Sequence, residues 1–514
     1  MLFLLVSSGL RESPTYDEIT YVEDGYQFLV NQDFRFDPFS PPLAKEIIAL
    51  PALINKVVLR DLVIFWPRMM VILFTIALGI IVYLFSKRMF GNLAGKLALA
   101  FYIFEPNILA NGHYATADLI FTFFLVLSLF IFWSWKNKFT NRRIVIFSVI
   151  LGMLMSTKIT SIPFLILPII ILYIMDKNNN RSLSKILTNK KKIINFFLII
   201  IITSFTLWAT YFFKSEPLLG YRFDKNRPAI GLAKANSFIN FALTQPVPLG
   251  SYISTIKQTA LFNYSNLYIK RSFFSGKLYD YGSPGYYYPF LFLIKTPLPL
   301  LILLFSSLIL FMKKTGSGKY VLVPIFVIFL TVLFSKVTLV SRYILPVYPL
   351  SIIYLSQIIN LKTSRKKIIY FSIGLLLIWH VSGSISLFPN FISYVNELFG
   401  GSKNAYKYLV DSNSDWGQGL TALKNYQDAN KINNLQLAYF GSVDPGKYGI
   451  KYERIKNLAI GDNHKEVNLK FDSTHTIAIS ATCWYFCGYY KNPEFSNSNP
   501  IDVVGGSILI FRKK

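Results

Sequence analysis

Long apolar runs, separated by short polar segments, dominate this chain. Residues 193–213 alone form a stretch of 21 residues without a charged side chain. A helix of that length crosses the ~30 Å hydrocarbon core of a bilayer. Charged residues make up 15% of the chain, against about 25% in soluble domains. The sequence therefore predicts a polytopic membrane protein built mainly from α-helices. Lipid offers no hydrogen-bond partners, and a helix satisfies its backbone N–H and C=O groups internally.

The apolar runs predict about eleven spans. Residues 1–10 are apolar but too short to cross a bilayer, and we expect them to be a truncated first helix. The other ten candidates are 62–85, 97–112, 118–135, 144–158, 159–175, 193–213, 289–312, 320–338, 343–361 and 368–387. The expected fold is a membrane helix bundle that occupies residues 1–387.

Basic residues are concentrated in five short segments between these runs. Together the segments hold 20 Lys and Arg and a single acid, and they carry most of the net charge of +27. Loops rich in Lys and Arg mark the cytoplasmic side of a membrane protein. The segments are 86–96, 136–143, 176–192, 313–319 and 361–367. This distribution favours cytoplasmic loops of a plasma-membrane protein over a nucleic-acid interface.

The same topology places three longer segments outside the cytoplasm. Loops 11–60 and 214–288 connect spans, and residues 388–514 follow the last span. Strand-like stretches in 388–514, such as 476–480 and 507–511, predict a small extracytoplasmic α/β domain. Its Cys483 and Cys487 either form a disulfide, as an oxidising compartment permits, or remain buried thiols.

Charged residues also occur within the predicted spans, and all of them fall in the outer half of the membrane. Such residues are expensive in lipid and are usually functional. They are Arg68, Glu105, Asp118, Lys158, Lys295, Lys336 and Arg342. Cations bind phosphate, and a carboxylate can accept the proton of an attacking hydroxyl. The set predicts a reaction on a lipid-linked phosphate at the outer face, the alternative being snorkelling cations with structural ion pairs.

The first exterior loop adds an acidic pair, Asp17-Glu18, and the stretch Pro41-Pro42-Leu-Ala-Lys45. At these residues the chain resembles the polyprenyl-phosphate-dependent glycosyltransferases of the C-type fold. These include protein O-mannosyltransferases and the aminoarabinose transferase that modifies lipid A. Further similar motifs follow in order at Glu105-Pro106-Asn107, Thr116-Ala117-Asp118, Ser156-Thr157-Lys158, Lys295-Thr296-Pro297, Arg342-Tyr343 and Asp415-Trp416-Gly417-Gln418.

The resemblance implies a function and a role for each matched residue. The chain would move a sugar from a polyprenyl-phosphate donor to a protein hydroxyl or an envelope glycolipid, with inversion. Asp17 would be the catalytic base, and Glu18 would support the acceptor or the loop. Glu105 and Asp118 would lie by the same cavity. The cations that would hold the lipid phosphate are Arg68, Lys158, Lys295 and Arg342.

Three positions depart from the family pattern. Ser40 and Asn111 stand where the family often has His, and Gly419 stands where it often has an acid. Because related folds differ in metal use, a divalent metal is possible, and the sequence leaves it open. The implied partners are the polyprenyl-phosphate sugar, the protein or glycolipid acceptor and membrane lipid, with no nucleic acid.

Two other classes of function also fit a polytopic chain with charges in its outer half. A transporter or flippase for a lipid-linked saccharide would share the cationic cavity but would not need the acidic pair Asp17-Glu18. Polar groups near the midplane are typical of transporters, whereas the charges here lie towards one face. A scaffold protein that acts through 388–514 would tolerate neutralisation of the buried charges.

Overall fold

The computed structural model describes most of the 514 residues. Residues 55–63, 137–139, 176–189, 219–240, 242, 265–270, 281, 312–315, 336–339, 457–467, 496–497 and 514 are not described. Lys336, most of the basic segment 176–192 and about two fifths of the loop 214–288 therefore lie outside the described residues.

Helices make up most of the described part of residues 1–387. They are Leu2–Arg11, Glu18–Asn31, Leu43–Ile54, Phe65–Phe90, Asn92–Ile103, Pro106–Asn111, Ala117–Trp135, Asn141–Met155, Leu167–Met175, Lys190–Ala209, Gly250–Tyr264, Tyr287–Lys295, Leu298–Phe311, Lys319–Leu333, Val347–Leu355 and Lys366–Ile385. A π-helical turn, Ile162–Ile166, contains Pro163 and directly precedes Leu167–Met175. Proline removes one backbone donor, which is a common reason for such an irregular turn.

Several of these helices are suited to cross a membrane. Four described helices are long and apolar enough: Phe65–Phe90, Ala117–Trp135, Lys190–Ala209 and Lys366–Ile385. Five shorter apolar helices of 10–17 residues accompany them. The chain is thus a multi-pass membrane protein, and the total of eleven spans stays a prediction.

The candidate span at 289–312 is bent in the structure. The structure has two helices there, Tyr287–Lys295 and Leu298–Phe311, which meet at an angle of 118°. The break falls at Thr296-Pro297. Proline has no backbone N–H and disfavours the helical conformation of the preceding residue, so the helix ends at Lys295. Lys295 is thereby placed at a bend and not along a straight span.

The C-terminal region contains a five-stranded mixed sheet. Four strands of three residues precede it: β1 (Ser215–Pro217) pairs with β2 (Pro246–Pro248), and β3 (Ser272–Phe274) pairs with β4 (Lys277–Tyr279), both antiparallel. The strands of the sheet are β5 (Leu435–Ala438), β6 (Glu453–Arg454), β7 (Thr476–Ser480), β8 (Asp502–Val504) and β9 (Ile508–Phe511). The order is β6-β5-β7-β9-β8, with β5 parallel to both neighbours and β9 antiparallel to both.

Both faces of this sheet are buried. Ile477 and Ile479 belong to one hydrophobic cluster, and Ala478 between them belongs to another, as the alternation of side chains along a strand requires. The helices Leu420–Ala429 and Ala481–Phe486 lie in the same domain. Cys483 and Cys487 form a disulfide within it. The predicted α/β character and the strands at 476–480 and 507–511 are therefore present.

The helices Glu18–Asn31 and Leu43–Ile54 pack very closely at Gly25. A Cβ atom on Gly25 would lie 2.1 Å from the carbonyl oxygen of Lys45 and 2.8 Å from Cβ of Ala49. The first distance is far inside van der Waals contact with a backbone atom. Only glycine allows this close approach of the two helices in segment 11–60.

We expect Gly25→Ala to destabilise the protein by about 1–3 kcal/mol, because the helices must move apart to accept the methyl group. Gly374→Ala is the matched control. A Cβ there has no neighbour within 4 Å, and alanine is the better helix former by up to ~1 kcal/mol. Thermal unfolding in detergent measures both variants, and equal unfolding temperatures would contradict the close contact at Gly25.

Candidate active site

Four of the eight predicted site residues form one cluster of alternating charge. Arg342 Nη1 lies 2.8 Å from Asp17 Oδ2 and 3.8 Å from Asp118 Oδ2. Lys158 pairs with the other oxygen of Asp118. The side chain of Asp118 is fully buried, whereas Asp17, Lys158 and Arg342 are 28%, 16% and 17% exposed. The cluster thus has a buried carboxylate at its base and an accessible carboxylate, Asp17, at its rim.

The two acids of this cluster stand where helices begin. Asp17 directly precedes the helix Glu18–Asn31, and Asp118 lies in the first turn of Ala117–Trp135. The amino end of a helix carries partial positive charge and favours a carboxylate. The local sequence therefore stabilises both negative charges where the site needs them.

The two cations lie in irregular turns. Lys158 follows the helix Asn141–Met155, just before the π-helical turn, and Arg342 lies in the 3-10 turn Ser341–Ile344. Both cations therefore approach the acids from elements other than the two helices that begin at Asp17 and Asp118. The cluster joins parts of the chain that are more than 300 residues apart.

The cluster keeps unused hydrogen-bonding capacity within the described part of the chain. Arg342 Nε and Asp118 Oδ2 are buried and make no hydrogen bond there. An unsatisfied buried polar group costs about 1–3 kcal/mol. Guanidinium groups bind phosphate through parallel N–H donors. Arg342 therefore keeps one N–H donor, at Nε, for which the described residues supply no hydrogen-bond acceptor.

Three tyrosines surround the charges, and none of them is among the predicted site residues. Lys158 Nζ lies 5.4 Å from the ring centre of Tyr343. Tyr288 has a buried hydroxyl without a hydrogen bond among the described residues and lies near Tyr343 and Arg342. Tyr21 lies near both acids of the cluster. Two features of the sequence could have indicated Tyr288 and Tyr343 as site residues: the run Tyr286-Tyr287-Tyr288 and the position of Tyr343 beside Arg342.

Glu18 and Arg68 form a separate, fully buried ion pair. Arg68 Nε and Nη2 donate to the two oxygens of Glu18 at 2.8 and 2.7 Å. The backbone N–H groups of Thr15 and Ala115 donate to the same carboxylate. The remaining donors of Arg68 bind the carbonyl oxygens of Gly9, Glu12 and Ser13. All five N–H donors of Arg68 are thus used within the protein.

The environment of Glu18 stabilises its charged form. Burial by itself raises the pKa of the Glu18 carboxyl, but the Arg68 guanidinium and the N–H groups of Ala115 and Thr15 outweigh it and lower this pKa below its ordinary value. The pair therefore stabilises the folded protein at neutral pH. The role in phosphate binding predicted for Arg68 stays a prediction, and in this structure the side chain fixes the first loop.

Glu105 and Lys295 form a third group. Glu105 caps the helix Pro106–Asn111 by accepting from the N–H of Ile108 at 2.7 Å. The Asn107 amide donates both to Glu105 and to the carbonyl of Lys295. Lys295 Nζ donates to the carbonyls of Ile392 and Asn413. Both charged residues are buried and engaged with backbone, and their predicted site roles stay predictions.

The C-terminal domain contacts the charged cluster directly. The Tyr16 N–H donates to the carbonyl of Trp416 at 2.8 Å, and the Tyr16 ring stacks on Phe440 at 5.1 Å. The Arg342 guanidinium lies over the Trp416 ring, 4.5 Å from its centre. Trp416 therefore touches both the neighbour of Asp17 and its ion-pair partner, so the motif Asp415-Trp416-Gly417-Gln418 is part of the wall of the site.

The described residues contain no group of three or more His, Cys, Asp or Glu side chains arranged to hold a metal ion. His113 hydrogen-bonds Glu12 and the carbonyl of Leu109, and both ring nitrogens are thereby used. The question of a divalent metal stays open.

Comparisons with known proteins agree with the resemblance that the sequence motifs indicated. Residues 9–216 match the profile of the family described as dolichyl-phosphate-mannose-protein mannosyltransferase. No curated protein matches the chain. ArnT from Cupriavidus metallidurans bound to undecaprenyl phosphate is similar in structure, with a TM-score of 0.52 and 10% identity over 99% of this chain and 96% of that one. Its apo form gives 0.50 and 11% over the same shares.

These matches confirm the resemblance that the motifs indicated. The chain has the fold of ArnT along almost its whole length, and its amino-terminal part matches a family of glycosyltransferases. The chain therefore has the C-type membrane fold of ArnT, and residues 9–216 resemble a mannosyltransferase family.

We expect Arg68→Leu to destabilise the protein by about 3–5 kcal/mol, because it leaves the Glu18 charge buried without a partner. The double variant Arg68→Leu/Glu18→Leu should regain part of this loss. The lowered pKa of Glu18 means that its stabilising contribution is present above the ordinary pKa of a glutamate and is lost as the pH falls towards the folded-state value. Thermal unfolding against pH measures all three proteins. A double variant no more stable than the single one would refute this account.

Proposed function

We propose that this protein transfers a sugar from a polyprenyl-phosphate donor to an acceptor hydroxyl at the outer face of the membrane, with Asp17 as the base. The observation that carries the proposal is the cluster in which an accessible carboxylate lies beside two partly exposed cations. Asp17 is the most exposed member, and it contacts Arg342 at 2.8 Å. One group can take a proton while the others hold a phosphate.

The reaction would be a single displacement. Asp17 accepts the proton of the acceptor hydroxyl as its oxygen attacks the anomeric carbon. The bond between that carbon and the phosphate oxygen breaks, and the phosphate leaves with the electron pair. Arg342 and Lys158 balance the charge that develops on it, while Asp118 orients both cations. Attack opposite to the leaving phosphate inverts the anomeric configuration.

Two findings support the donor and the side of the membrane. The similar ArnT structure holds undecaprenyl phosphate, which supports a polyprenyl-phosphate carrier here. The disulfide Cys483–Cys487 supports an oxidising compartment for the C-terminal domain, in agreement with basic loops on the cytoplasmic side. The family match supports a protein hydroxyl as acceptor, and an envelope glycolipid is the second acceptor class to test.

We expect Asp17→Asn to lower transfer at least 100-fold, because the amide cannot accept the proton, while binding of polyprenyl phosphate is retained. Transfer of labelled sugar from a panel of polyprenyl-phosphate sugars to envelope acceptors, by purified protein in lipid, is the measurement. Asp33→Asn is the control, since Asp33 lies on the same loop but pairs with the exposed Arg35. Undiminished transfer by Asp17→Asn would contradict the assignment of Asp17 as the base. Movement of labelled lipid across the bilayer without transfer would favour a flippase.

We expect Arg342→Gln to weaken binding of polyprenyl phosphate by about 10-fold or more, because a charge-assisted contact worth about 1.5–3 kcal/mol is lost. Arg35→Gln, on the exposed pair with Asp33, should bind as the wild type does. Titration with a short-chain polyprenyl phosphate tests both variants. Equal affinities would show that Arg342 does not hold the phosphate.

A further inference from the structure

Residues 411–416 of the C-terminal domain lie against the turn that carries Arg342. Asn413 Oδ1 accepts a hydrogen bond from the N–H of Ser341, the residue before Arg342, at 2.6 Å. The guanidinium of Arg342 lies over the ring of Trp416, 4.5 Å from its centre. Segment 411–416 therefore contacts this turn twice, once at its backbone and once at the side chain of the cation.

Segment 411–416 begins in a strained backbone conformation. Asp411 has a φ of +56°, in the left-handed region that residues other than glycine adopt at a cost in free energy. Such a conformation persists only where the surrounding structure enforces it. The partners of this segment therefore decide whether it keeps its place against Arg342.

Thr482 supplies three hydrogen bonds to the segment. Its Oγ1 accepts from the N–H of Asp411 at 2.8 Å and donates to the carbonyl of Asp415 at 2.8 Å. Its N–H donates to Asp415 Oδ2 at 2.7 Å. The hydroxyl thus uses both its donor and its acceptor capacity and bridges two ends of one turn. Because Thr482 is fully buried, solvent does not compete for these bonds.

The segment is held from two parts of the molecule. Lys295, at the bend between two apolar helices, donates to the carbonyl of Asn413 at 2.7 Å. Thr482 lies in the helix Ala481–Phe486 of the C-terminal domain. Among the described residues, the hydroxyl of Thr482 bonds to segment 411–416 and not to the charged residues of the cluster. Any influence of this hydroxyl on the site therefore passes through the segment.

We propose that Thr482 is a positioning residue for phosphate binding, because it clamps segment 411–416 in the place where that segment fixes Arg342. The inference rests on the proposed function, in which Arg342 holds the lipid phosphate. It extends that function by making the C-terminal domain a requirement for tight binding of the donor. Thr482 lies outside the motifs that the sequence shares with the glycosyltransferases.

The test measures binding of a short-chain polyprenyl phosphate to the full-length protein in lipid. Thr482→Val keeps the branched shape and the backbone N–H but removes both bonds of the hydroxyl, and we expect it to weaken binding about 3–10-fold. Thr482→Ser restores the hydroxyl and should bind within about 2-fold of the wild type. Thr474→Val is the control, since Thr474 is an exposed threonine of the same domain whose hydroxyl bonds to Asp472.

A double-variant comparison separates positioning from a general loss of structure. If Thr482 acts through Arg342, Thr482→Val should change binding by less than about 2-fold in the Arg342→Gln protein, because effects of coupled residues are not additive. Asn413→Ala removes the acceptor of the Ser341 N–H and should show the same pattern. It provides a second route where Thr482→Val lowers the unfolding temperature.

Three outcomes would overturn the positioning role of Thr482. They are equal weakening by Thr482→Val with and without the Arg342 guanidinium, unchanged binding by Thr482→Val, and loss of binding in Thr482→Ser. A different result bears on the proposed function alone. If Arg342→Gln binds the lipid phosphate as tightly as the wild type, Arg342 does not hold the phosphate.

Discussion

The buried pair of Glu18 and Arg68 fixes the geometry on which the site depends. Arg68 ties the carbonyls of the first helix and the loop after it to the helix Phe65–Phe90, and Glu18 ties the same loop to the turn at Ala115. Asp17 precedes Glu18 directly in the chain. Because Glu18 is held by four hydrogen bonds, the position of Asp17 is restricted to the rim of the charged cluster. The two adjacent acids therefore have different roles: Glu18 anchors the loop, and Asp17 faces the site.

The charged cluster combines distant parts of the chain because no single element could supply it. Asp17 and Asp118 come from helix starts, Lys158 and Arg342 come from irregular turns, and Trp416 comes from the C-terminal domain. The four charged positions lie at helix starts or in irregular turns, outside the regular middle of a helix. The contact of Trp416 with Arg342 explains why a domain beyond the last predicted span belongs to the same functional unit.

Much of this arrangement could be predicted from the sequence. Composition and the basic segments indicated the multi-pass fold, and the ordered motifs indicated the glycosyltransferase resemblance. The sequence could not predict which of the eight site residues form the charged cluster and which form separate buried groups. Arg68 and Arg342 look alike as single cations in apolar runs, yet one has all its donors bound within the protein and the other keeps Nε unpaired among the described residues. The break at Thr296-Pro297 was visible in the motif but was outweighed by the hydrophobicity of 289–312.

By itself the sequence determined the membrane environment, because long uncharged runs leave no other low-energy solution in lipid or water. Proline also acts locally, as at Thr296-Pro297, where the helix that ends at Lys295 is interrupted. Only the tertiary structure decided which charged residues form ion pairs with each other. Ion pairs such as Arg342 with Asp17 join residues 325 positions apart, and their formation depends on how helices pack.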